Sequence, residues 1–87
     1  MGDVISTQLR LDYLKDGIVG CVYEHFKGGV YIVTDMAVNT DTEEIMVVYH
    51  DINSDMVWCR PFSEFVSEVD HEKYPDVKQA LRFKRIK

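Results

Sequence analysis

Five side chains carry most of the chemistry that this 87-residue chain offers: His25, Lys27, Tyr49, Trp58 and Arg60. They fall in three strand-like blocks, Tyr23-Glu24-His25-Phe26-Lys27-Gly28, Val47-Val48-Tyr49 and Trp58-Cys59-Arg60-Pro61, joined by polar turns. If residues 56 to 60 are extended, Trp58 and Arg60 project from one face, because side chains alternate along a strand. His25 and Lys27 lie at the end of the first strand, and Tyr49 lies on a strand neighbouring Trp58. Aromatic faces for stacking and cations for an anion suit a nucleotide or another small phosphorylated ligand. The competing reading places Trp58, Tyr49 and Phe26 in the core, with Arg60 paired to an acid such as Glu64.

Other constellations carry less. A nucleophile needs a base beside it and a third group to orient that base. Cys21 and His25 are four residues apart on a strand, more than ~13 Å at ~3.3 Å per residue. Cys59 meets His50 more easily across the hairpin of strands three and four, yet nothing predicts the depressed thiol pKa that reactivity needs. Both cysteines read as buried structural residues. A zinc site drawn from Cys21, His25, His50, Cys59 and His71 lacks the close ligand pairs that structural zinc uses. Glu43 and Glu44 are adjacent and face opposite ways on a strand. Gly28-Gly29 lacks the longer pattern of a phosphate loop and reads as a hairpin turn. We therefore expect no catalytic set, no metal and no cofactor, and rank an enzyme last.

Composition sets the outer limits. The chain has room for one domain and one core, and a chain this short buries only about 60–65% of its unfolded surface. Self-association is an economical way to hide more, so a homo-oligomer is expected. The apolar fraction of 46% is that of a folded domain, and the net charge of −5 weighs against general nucleic-acid binding. Acids cluster between residues 64 and 76, and bases after residue 81. These are two solvated surfaces, or a basic edge that meets an anion or the acidic stretch of a neighbouring subunit. Two cysteines are too few for a disulfide scaffold. Met1-Gly2-Asp3 opens no signal peptide, and Gly2 with Ser6 falls short of a myristoylation site. No apolar run approaches the roughly eighteen residues that span a membrane. A cytoplasmic protein is expected, with no membrane partner.

The elements that must position these groups follow from pattern. Residues 6 to 16 read as a short helix capped by Ser6 or Thr7, with Leu11 and Leu14 on one face and Gly17 as its stop. Strands are expected at Val22–Phe26, Val30–Val38, Ile45–His50 and Met56–Arg60, with Val30, Ile32, Met36 and Val38 sharing a face. The third strand is apolar on both faces, which suits a central position or one covered by another subunit. Pro61 ends the fourth strand and starts a helical turn that points Phe62 and Phe65 inward. Val66 to Val69 is extended again, residues 70 to 79 form a polar connection, and Leu81, Phe83 and Ile86 mark a closing strand. The outline is mainly β: a small SH3-like barrel of about five antiparallel strands. Residues 1–19 form an N-terminal helical extension, and residues 20–87 the barrel domain.

As a set, the blocks His25-Phe26-Lys27-Gly28, Val47-Val48-Tyr49 and Trp58-Cys59-Arg60-Pro61 with Phe65 resemble the small bacterial and phage family of domain of unknown function 1653. Arg82-Phe83 is similar to that family's terminal strand. The resemblance runs from about residue 20 to 86. It departs where members place an Arg-His pair and this chain has Val38-Asn39, and in a longer connection at 70 to 79. It supports the fold and brings no activity with it. Its phage members make a nucleotide sensor, or a sponge for a host signalling nucleotide, a concrete form of the expected ligand-binding role. The alternative is an SH3-like interaction module that takes a peptide or nucleic acid on the Tyr49/Trp58 surface.

Overall fold

The computed structural model describes residues 4–87, and the readings of Met1, Gly2 and Asp3 lie outside the described residues. Helix α1 spans Val4–Ile18. Leu11, Leu14 and Ile18 fall three and four residues apart, so they share one stripe. Leu11 is buried in the core, and Leu14 and Ile18 pack against its margin. The helix is longer than the expected span at both ends. Ser6 lies inside its first turn instead of capping it, and Gly17 stays helical. The left-handed residue is Gly20, with φ 87°, whose N–H donates to the Val33 carbonyl at 2.8 Å. Stopping at Gly17 would leave Ile18 off the stripe, and contact of Ile18 with the core favours the longer helix.

Five strands follow: β1 (Val22–His25), β2 (Val30–Val38), β3 (Ile45–Asp51), β4 (Val57–Pro61) and β5 (Phe83–Arg85). They form one antiparallel sheet in the order β4-β3-β2-β1-β5. The turns are those that the residue types require. Gly28 and Gly29 adopt φ of 98° and 89° between β1 and β2. Asn39 Oδ1 accepts the N–H groups of Asp41 and Thr42, and Asp51 Oδ1 accepts that of Asn53. β3 pairs on both sides, as its two-faced apolar sequence implies. β5 pairs with β1 at one edge, while β4 forms the other edge. The sheet is therefore not closed, and "barrel" describes its curvature only loosely. The expected closing strand is short: Phe83 is buried, but Leu81 forms an isolated bridge to Glu68, and Leu81 and Ile86 are exposed.

β2 departs from simple alternation. A bulge between Val33 and Asp35 inserts Thr34 without a partner opposite it. The inward positions are Tyr31 and Val33 before the bulge and Met36 after it, so Val30, Ile32, Met36 and Val38 do not share a face as expected. Asp35 is tied down here: its Oδ1 accepts the Met36 N–H at 2.8 Å and pairs with Lys15 of α1 at 3.2 Å. The Met36 N–H, and then Lys15, hold its carboxyl below the usual range.

At the far end Pro61, tolerated because β4 is an edge strand, is the last residue of that strand and the N-cap of α2 (Phe62–Phe65). This turn drives Phe65 into the core, with Phe62 at its margin. The Phe65 ring stacks on Phe83, centroids 4.2 Å apart and planes 11° apart. Tyr49 meets both rings, at 5.6 and 5.4 Å. Phe83→Ala is therefore expected to cost about 3–5 kcal/mol in urea denaturation. Leu81→Ala, at a side chain 45% exposed, should stay within about 0.5 kcal/mol of the parent. Equal losses from the two would show that the stack does not anchor the C-terminal segment.

Candidate functional site

Strand register brings side chains from all five strands onto the inner face. Trp58 of β4 lies opposite Tyr49 of β3, which lies opposite Val33 of β2. Tyr31, two residues before Val33, shares its face and lies opposite Tyr23 of β1. His25, two residues after Tyr23, lies opposite Phe83 of β5. Drawing on all five strands, His25, Tyr31, Tyr49, Trp58, Arg60 and Phe83 line a hollow of about 250 Å³. A second hollow of about 330 Å³ adjoins it and also uses His25 and Arg60, with Lys27, Asp70, Lys73, Tyr74 and Arg82 among its other walls. The first hollow is aromatic and the second cationic, and His25 and Arg60 form the waist.

All five residues singled out in the sequence line this two-lobed groove. Trp58 is 50% exposed and not part of the core. Tyr49 is only 6% exposed, so the core reading holds for its ring. Phe26 is half-buried between His25 and Tyr74, at centroid distances of 4.7 and 5.1 Å. Arg60 does what both readings asked. It pairs with Glu64 at 3.6 Å and still lines both hollows, while its Nε donates to the Tyr49 hydroxyl at 3.5 Å. Sequence reasoning missed Tyr31, Phe83, Lys73, Tyr74 and Arg82. Tyr31 was within reach, because a two-glycine hairpin after His25 sets it across from Tyr23. Cys59 is exposed, against the expectation that both cysteines are buried: alternation turns it away from Trp58, onto the outer face of an edge strand. Cys21 is half-buried, its Sγ donating to the Gly17 carbonyl at 3.5 Å.

The electrostatics of the groove are asymmetric. His25 Nδ1 accepts the Lys27 N–H at 3.1 Å, so the neutral ring carries its proton on Nε2. Burial, and then the charges of Arg60, Arg82 and Lys27, hold its pKa below 6.5. Lys27 and Lys73 both sit over the Tyr74 ring, with Nζ 5.1 and 5.5 Å from its centroid. The hydrogen bond from Lys27 is the main cause that lowers the Tyr74 hydroxyl pKa. Arg82 Nε is buried and finds no hydrogen-bond partner among the described residues.

Against this geometry, the family described as Protein of unknown function (DUF1653) matches residues 21–85. The chain belongs to that family. Every residue of the groove lies within the DUF1653 match, and α1 lies before it. No curated protein and no solved structure matches the chain. Among the described residues, no helix of this DUF1653 protein is long and apolar enough to cross a membrane.

The lowered pKa of His25 has a measurable consequence for this DUF1653 chain. On acidification the unfolded chain takes up a proton on His25 near 6.5, before the folded chain does. The stability carried by the neutral ring is thus complete above that value and is lost as pH falls through it toward the lower folded pKa. Urea denaturation between about pH 7 and 5 should show a steeper loss for the parent than for His25→Gln. Parallel pH profiles would mean that His25 titrates alike in both states.

Proposed function

We propose that this DUF1653 protein is a non-catalytic binder of a small anionic, nucleotide-like ligand, held in the groove on the inner face of the sheet. The observation that carries this reading is the shared waist: a stacking surface and a cationic hollow meet at His25 and Arg60. A planar group against Trp58 and Tyr31 would place an attached anion among guanidinium and imidazole donors. The protein as a whole carries −5, so a local excess of cations is an arrangement that net composition does not produce by itself. Self-association belongs to the same reading. Val57 and Cys59 leave the outer face of the edge strand β4 apolar and exposed, which supports contact with a second copy. The peptide-module alternative has less to stand on, because it relies on Tyr49 beside Trp58 and Tyr49 is buried.

Trp58 is the single tryptophan of the chain, so its fluorescence reports on the groove directly. Titration with a panel of nucleoside mono-, di- and triphosphates should give saturable quenching with at least one of them. At a hundredfold excess over Kd that ligand should add about 2.7 kcal/mol to thermal stability. Arg60→Gln should weaken the response about tenfold or more, as loss of a charge-assisted hydrogen bond does. A flat fluorescence signal and an unchanged melting temperature across the panel would overturn the proposal.

A further inference from the structure

The cationic hollow holds more charge than a single phosphate needs. Arg60 and His25 at the waist already offer a guanidinium and an Nε2–H donor. Beyond them lie Lys27, Lys73 and Arg82, with Asp70 as the acid among the hollow's walls. The Asp70 Oδ1 accepts the N–H groups of Glu72 at 3.1 Å and Lys73 at 3.3 Å, and this acid forms no ion pair with the lysines or Arg82 among the described residues. Neither lysine nor Arg82 forms an ion pair among the described residues, where the pairs are Lys15–Asp35 and Arg60–Glu64. With Asp70 the one acid in this wall against Arg60, Lys27, Lys73 and Arg82, positive charge is left in excess, and its self-repulsion is relieved when an anion enters.

The wall that carries these groups is built, not incidental. Asp70 turns the chain so that the Tyr74 N–H donates to its carbonyl at 2.9 Å, which sets Lys73 and Tyr74 at the rim. Gln79 Nε2 then ties the end of this connection to β1, donating to the Glu24 carbonyl at 3.1 Å and the Leu81 carbonyl at 2.8 Å. On the other side, the Lys27-Gly28-Gly29 turn delivers Lys27 to the same Tyr74 ring. One aromatic ring thus gathers two ammonium groups from segments far apart in sequence.

Resting on the reading of the groove as a nucleotide-like site, we infer that its ligand carries a second phosphoryl group. The first sits at the His25–Arg60 waist and the second among Lys27, Lys73 and Arg82. Both a diphosphate chain and two separate phosphates on one ribose present this chemistry.

Trp58 fluorescence titrations with AMP, ADP and adenosine 3′,5′-bisphosphate, without divalent metal and at one ionic strength, test the inference. ADP or the bisphosphate should bind about tenfold or more tightly than AMP, the scale of one added charge-assisted contact. Whichever is preferred identifies how the second group is attached. In the Lys27→Gln/Lys73→Gln double variant, whose changes lie at exposed positions, that preference should collapse toward unity. Equal binding of all three compounds, or a preference that survives the double variant, would overturn the second-phosphoryl assignment while leaving the groove reading intact. Binding of none would overturn both.

Discussion

The stacked pair Phe65 and Phe83 holds the inner face together. The sheet does not close, so backbone hydrogen bonds do not join its two edge strands. Side chains must bridge the interval instead. Phe65 leaves the end of β4 through the turn begun at Pro61, Phe83 opens β5, and their rings meet at 4.2 Å. Tyr23 meets Phe65 edge-on and Tyr49 leans on both rings, so the pair ties β1 and β3 to the C-terminal segment. Aromatic contacts of this kind add to the burial of the rings themselves.

The groove is a consequence of that solution. A closed sheet would have filled the interval between edge strands with ladder bonds. Here the interval is spanned by rings deep down and by polar groups above them. Arg60 from the β4 edge shares a hollow with His25 of β1 and with Arg82, which precedes the other edge strand, and Trp58 stays half in solvent. The groups that give the site its chemistry are those left over once the rings have been packed. That origin accounts for the aromatic hollow and the cationic hollow sharing a waist.

How much of this was legible in the sequence varies with the physics of each part. Strands, turns and the helical turn after Pro61 are local matters, readable from alternation, glycine and proline. The convergence of Trp58, Arg60, Tyr49, His25 and Lys27 was legible for the same reason, since hairpin neighbours keep their parity. Three things were not. The Thr34 bulge reverses parity midway along β2 through a side-chain bond at Asp35 that no pattern announces. The course of helix α1 past Gly17 depends on Ile18 finding the core, a tertiary matter. The contributions of Lys73, Tyr74 and Arg82 depend on an irregular connection shaped by local Asp70 bonds and tied to β1 by the Gln79 bond to Glu24, far away in sequence.

Amide chemical-shift mapping of the labelled protein with ADP addresses the central claim most directly, because it needs no prior choice of reporter. The account predicts shifts concentrated at His25, Lys27, Trp58, Arg60, Lys73 and Arg82, drawn from separate parts of the sequence but one groove. Shifts confined to α1 or to the turn between β2 and β3, with those six amides unmoved at saturation, would contradict it.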